Sequence, residues 1–133
     1  MFRYIAYTIT MLCAELTFGH HWVSETYDES SLVSVELVIR EFRFINPHPF
    51  ASATLSSAPD SSDIWTLEMD NRWELAALGF TEDTLHRGDT ILIQANPSPF
   101  DDRALYVRSI EHQRLGFRYE HNVRELYRLA PAD

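Results

Sequence analysis

An all-β domain, folded as a five-stranded OB-like small barrel with one short helix, is predicted by three observations. Five segments carry the alternating or apolar, β-prone pattern of strands, one capped helical segment falls between the third and the fourth, and Pro, Gly, Asn and Asp punctuate the joins. The runner-up for this element order is a two-layer α+β sandwich. At 133 residues and 45% hydrophobic composition the chain fits one domain with a core of its own.

The first strand is long and bent. Val33, Val35, Leu37 and Ile39 alternate with Ser34, Glu36, Val38 and Arg40, while Phe42 and Phe44 alternate on the other parity, a change that a bulge near Arg40 would reconcile. Asn46-Pro47-His48-Pro49 then turns the chain, because proline fixes its own φ and keeps the residue before it out of the helical region. Phe50 to Leu55 forms the second strand, and the polar loop Ser56 to Asp63 leads to a third with Ile64, Thr66 and Glu68 on one face and Trp65, Leu67 and Met69 on the other.

Asp70 or Asn71 caps a helix running through Trp73 to Leu78, which Gly79 ends in the left-handed conformation. Thr81 to Leu85 suggests a second capped turn, closed by Gly88, before the fourth strand, Thr90 to Ala95. After a loop with Pro97 and Pro99, Leu105, Val107 and Ser109 alternate with Tyr106, Arg108 and Ile110 in the fifth strand. Beyond Gln113, Tyr119, Val123, Leu126 and Tyr127 have near-helical spacing, which predicts a terminal helix or tail docked on the barrel.

Residues 1–19 resemble a secretory signal peptide: a cationic start at Arg3, an apolar run from Tyr4 to Ala14, and small residues at Thr17 and Gly19. The run is shorter than the ~20 residues a membrane span needs. The domain organisation read from this is a signal peptide over 1–19, the barrel over 20–112 and a C-terminal extension over 113–133, in a periplasmic or secreted protein. Cys13, the only cysteine, falls in the leader, so the mature chain would hold no disulfide, zinc-thiolate site or cysteine nucleophile.

All 11 cationic residues are arginine, against 20 acidic ones, for a formal net charge of -9. Such a surface repels phosphate backbones and carries no segregated basic patch, so nucleic acid is not an expected partner.

His20-His21 followed by an aromatic and Tyr27-Asp28, the Asn46-Pro47-His48 turn, Trp65 and Glu68 in the third strand, Leu78-Gly79-Phe80, and Leu85 to Gly88-Asp89 occur in that order. Together, over roughly residues 20–112, they resemble a family of small secreted bacterial domains of unknown function in which a His-His pair opens the mature chain. The resemblance implies a periplasmic or secreted OB-like barrel with no established chemistry. The chain departs from it after the fifth strand, where a short glycine turn is expected and the sequence instead runs on through Phe117-Arg118-Tyr119 to Asp133.

The candidate site is a metal centre built from His20, His21 and His48. Cleavage after Gly19 would make His20 the N-terminal residue, whose amine and imidazole chelate a borderline ion, and a nitrogen-rich, thiol-free site suits copper(II) or zinc, copper(II) leading on affinity. Cleavage one residue earlier would leave Gly19-His20-His21, which also offers copper an amine and imidazoles. His48 sits in a proline-stiffened turn, so holding a ligand there costs little entropy, and Asp28 or Glu68 could orient an imidazole.

His86, His112 and His121 read as surface or partly buried residues. Asp101-Asp102 lacks the roughly 6–8 oxygen ligands of a calcium site and reads as a solvated turn. There is no nucleophile elbow, phosphate-cradling glycine loop or His-Glu-x-x-His helix, so a non-enzymatic domain is expected. The alternative function is an interaction module using an aromatic surface, for which Trp22, Trp65, Trp73, Phe100, Tyr106 and Phe117 supply the candidates. Mass spectrometry of the exported chain is expected to find His20 at the amino terminus; an exported chain that keeps residues 1–19 would overturn the leader reading.

Overall fold

A computed structural model describes residues 23–121 and 127–128. The expected leader, His20, His21 and Trp22 lie outside the described residues. The chain forms α1 (Val23–Thr26), β1 (Val33–Arg43), β2 (Phe50–Leu55), β3 (Trp65–Glu68), α2 (Arg72–Ala77), β4 (Thr90–Pro97), β5 (Ala104–His112), β6 (Phe117–Glu120) and β7 (Tyr127–Arg128). Among the described residues no helix is long and apolar enough to cross a membrane.

β1 pairs antiparallel with β4 through residues 33–38 and with β2 through residues 37–43. Its length is what lets one strand serve two neighbours. In the β1–β2 ladder Ile39 faces Ala53 and Glu41 faces Ser52, so Arg40 is the extra residue of a bulge. The bulge shifts the alternation as the sequence predicts: Leu37 and Ile39 are fully buried before it, and Phe42 and Phe44 pack against the same core after it.

β2 pairs antiparallel with β3, and β4 with β5. A parallel ladder of β3 with β5, Thr66 to Ala104, Leu67 to Leu105 and Glu68 to Tyr106, then closes the barrel. The five-stranded OB-like fold is thus observed, and the sandwich is not. Leu37, Ile39, Ala53, Leu67, Ile91, Ile93 and Val107 fill the interior with no exposed surface, each larger aliphatic contributing roughly 1.5–3 kcal/mol by burial.

α2 stoppers one end of the barrel. Asn71 is its N-cap, accepting the Glu74 amide at 2.9 Å. The helix ends at Leu78, and Gly79 follows at φ 94°, a conformation glycine takes without a Cβ penalty. Leu75 faces inward, and the Phe80 ring meets Phe117 at 5.8 Å and Tyr119 at 5.6 Å edge-on.

Residues 117–120, expected as part of a helix or docked tail, form instead a sixth strand on β5. Gly116, at φ 64°, turns the chain back after His112, and the alternation of Phe117 and Tyr119 lays both rings on Phe80. The glycine turn expected by resemblance after the fifth strand is therefore present, and the chain runs on from it as a strand.

His112, expected near the surface, is fully buried. Its Nε2–H donates to Asp89 Oδ2 at 2.9 Å, and its Nδ1 accepts the Leu115 amide at 3.4 Å, an assignment that satisfies a neutral ring. Asp89 also accepts the His86 amide and two N–H groups of Arg114. The Arg114 guanidinium holds the Asp89 carboxyl well below the usual carboxylate range, against the opposing effect of burial. Asp89→Ala leaves the buried His112 N–H without its acceptor and is expected to lower stability by about 3 kcal/mol in urea denaturation; an unchanged midpoint would show that this cluster does not hold the β5–β6 turn.

Candidate site at the barrel end

His48 stands in the β1–β2 turn, which is fastened to the start of α2 by backbone bonds. Met69 N–H donates to Pro49 O at 3.0 Å and Arg72 N–H to Pro47 O at 2.9 Å. The turn contains a cis Asn46–Pro47 bond. His48 Nδ1 donates to the Met69 carbonyl at 2.8 Å, since a carbonyl can only accept, and lies 3.4 Å from Glu68 Oε1. Nδ1 is thus oriented by a carbonyl and a carboxylate.

Glu68 lies on the face of β3 opposite Leu67, as the alternation predicts, but only 3% of it is exposed. It is covered by the lead-in arm. Tyr27 O–H donates to Glu68 Oε2 at 2.7 Å, and the Tyr27 ring packs 5.5 Å from Tyr106. Burial first, and then the hydrogen bond and charge of Glu68, push the Tyr27 hydroxyl well above the ordinary tyrosine range, so it stays a donor.

The arm itself is tied down on the barrel. Asp28 N–H donates to Pro97 O at 2.8 Å, Asn96 donates to Ser31 O at 2.7 Å, and Arg108 pairs with Glu29 at 2.8 Å. Arg108 is the extra residue where the β4–β5 register shifts, which frees its side chain to reach both Asn96 and Glu29. Asp28, the other carboxylate considered for orienting an imidazole, accepts instead from Ser30 and Ser31 within its own turn.

A second pair lies beside the first. His121 Nδ1 lies 2.8 Å from Asp70 Oδ2, without hydrogen-bond alignment. The His121 ring stands edge-on 5.9 Å from Tyr106, and Tyr119 O–H reaches Asp70 at 3.5 Å. Burial acts to raise the Asp70 pKa, but His121, Glu74 and the Asn71 amide outweigh it and bring it down from 3.8 to about 2. Glu74 shifts upward, chiefly through its hydrogen bond to Asp70.

Of the predicted site residues, His48 is held with a carboxylate at its back, while His20 and His21 lie outside the described residues. Among the described residues no group of three or more His, Cys, Asp or Glu side chains is arranged to hold a metal ion. Residue patterns alone missed Tyr27 as the partner of Glu68, and the Asp70–His121 pair. His86 is half exposed and His121 partly buried, as read from the sequence. Trp73 and Phe100 are 72% and 80% exposed, whereas Tyr106 is buried.

The model of a family of unknown function, DUF6152, matches residues 9–104. No curated protein matches the chain. Among solved structures the chain is similar to the mitochondrial single-stranded DNA-binding protein Rim1 of S. cerevisiae, at 15% identity and a TM-score of 0.46, over 62% of this chain and 93% of that one.

A group whose folded pKa is depressed stabilises the fold above its unfolded pKa and loses that contribution as pH falls toward the folded value. For Asp70 the window runs from about pH 4 down to about pH 2. Between pH 5 and pH 2 the wild type is expected to lose on the order of 2 kcal/mol more than Asp70→Asn, read as the shift in urea midpoint. Equal losses would show that the His121 contact does not favour the Asp70 carboxylate.

Proposed function

The chain belongs to DUF6152, a family of unknown function, and from its barrel end we propose that it is a non-enzymatic domain binding copper(II), or zinc, through His48 together with His20 and His21. The observation that carries this reading is the setting of His48. Its Nδ1 is fixed by the Met69 carbonyl beside Glu68, which is how a metal-binding imidazole is commonly oriented so that Nε2 can coordinate.

The described part of the N-terminal arm ends close to the proline turn in chain terms. Tyr27 reaches Glu68, which stands 3.4 Å from His48, and one helical turn leads back from Tyr27 to Val23. Imidazole and amine donors without thiolate suit copper(II) first and zinc second. The reading includes export to the periplasm or medium, which would free the histidine end. A net charge of -9 favours a cation over a phosphate backbone as ligand.

A second reading is favoured by Trp73 and Phe100, large rings left in solvent, which would suit a protein or ligand surface. The two readings separate in a titration of the mature chain with copper(II) and zinc beside His48→Ala. Submicromolar one-to-one binding that weakens at least tenfold in the variant, ~1.4 kcal/mol, is expected. Binding unchanged in the variant would mean that the terminus chelates alone, and the aromatic surface would become the leading reading.

A further inference from the structure

A cavity lies at the end of the barrel away from His48. α2 closes the end at which β3 finishes and β4 begins, whereas β1, β3 and β5 begin, and β4 finishes, at the other. There Val33, Val35, Trp65, Pro97 and Leu105 line a space of about 190 Å³, with Ser34 and Asp102 as its polar residues. The apolar character continues around it. Of the eight large hydrophobic side chains left exposed among the described residues, four (Leu32, Val33, Ile64 and Phe100) line this cavity or stand within two residues of one that does. Neighbouring exposed apolar groups around a concavity are the usual mark of a binding surface.

Asp102 sets the chemistry of this mouth, as its one charged lining residue. Its neighbours are occupied: Arg103 pairs with Asp63 at 2.8 Å, and Asp101 accepts the Arg103 amide at 2.9 Å. Among the described residues no hydrogen bond or ion pair engages Asp102 itself. An anion would be repelled by that carboxylate and by the net charge of -9, and a neutral molecule would leave it unused. We infer that the mouth is a binding site for a small organic cation, an ammonium carried on a compact apolar group. The apolar part replaces water against Val33, Trp65 and Leu105, and the ammonium pairs with Asp102. Trp65 adds to the preference, since indole is the side-chain ring most attractive to cations. An apolar cavity of about 150 Å³ already takes benzene, so about 190 Å³ has room for one ring and a short substituent. The site shares no residue with the His48 turn, so it goes beyond the metal-binding reading and does not rest on it.

Calorimetric titration of the full chain with benzylammonium and with its neutral counterpart, benzyl alcohol, tests this, with NMR shifts followed at the Trp65 indole N–H and the Val33 and Val35 methyls. Benzylammonium is expected to bind one-to-one in the submillimolar range and to shift all three residues, and benzyl alcohol to bind at least roughly threefold more weakly. Asp102→Asn is expected to weaken benzylammonium at least roughly threefold and to leave benzyl alcohol unchanged, the second result showing that the cavity survives the substitution. Equal affinity for the two probes, or benzylammonium binding that ignores Asp102→Asn, would overturn the assignment to a cation. No saturable binding, or shifts confined to other residues, would overturn the site. Self-association of the chain through Val33 and Trp65 that benzylammonium does not reduce would assign the mouth to a second copy, and would overturn it as well.

Discussion

Three residue pairs close this barrel, and the candidate site depends on them. The parallel ladder of β3 with β5 sets Glu68 opposite Tyr106. On the outer side of that pair the arm lays Tyr27 against both, by a hydrogen bond to one and a ring contact to the other. Without closure the carboxylate would face water and the tyrosine would have no seat. A short parallel pairing, held in register by the antiparallel ladders on either side, therefore decides where the polar chemistry of the molecule can stand.

Burying carboxylates is costly unless each is partnered, and among the described residues three are buried. Each is met differently. Asp89 faces a guanidinium, a fully buried imidazole and a backbone amide, a set that leaves little capacity for a ligand. Asp70 has His121 beside it and Tyr119 above it, joining the end of β6 to the start of α2. Glu68 is set between the Tyr27 hydroxyl and His48 Nδ1, which itself donates to the Met69 carbonyl.

Much of the barrel was legible in the residues. The parity change at Arg40, the Asn71 cap with Gly79 behind it, and the bounds of β2 follow from alternation, capping and turn chemistry, which act over a few residues. The failures share a cause. Phe117 and Tyr119 fit a strand as well as a helix, and the free edge of β5, not local propensity, decides between them. His112 lies among polar neighbours and looks exposed, yet Asp89, 23 residues earlier, supplies the acceptor that allows its burial. At Glu68 the face was read correctly and the cover was not, because the cover comes from Tyr27, 41 residues away. His48 was picked out by its turn; the groups that orient it were only partly foreseeable, since Glu68 could be named but the Met69 carbonyl could not.

β5 has one edge with two tenants. Residues 104–106 of that edge belong to β3, and residues 109–112 belong to β6. Where the barrel wall parts company with β5, the hairpin takes up the backbone groups that would otherwise be left bare. Such a bare edge, flanked by Ile110 and by the rings around Phe80, is a template for pairing with a strand of another molecule. The hairpin thus covers the seam where β3 leaves the edge of β5.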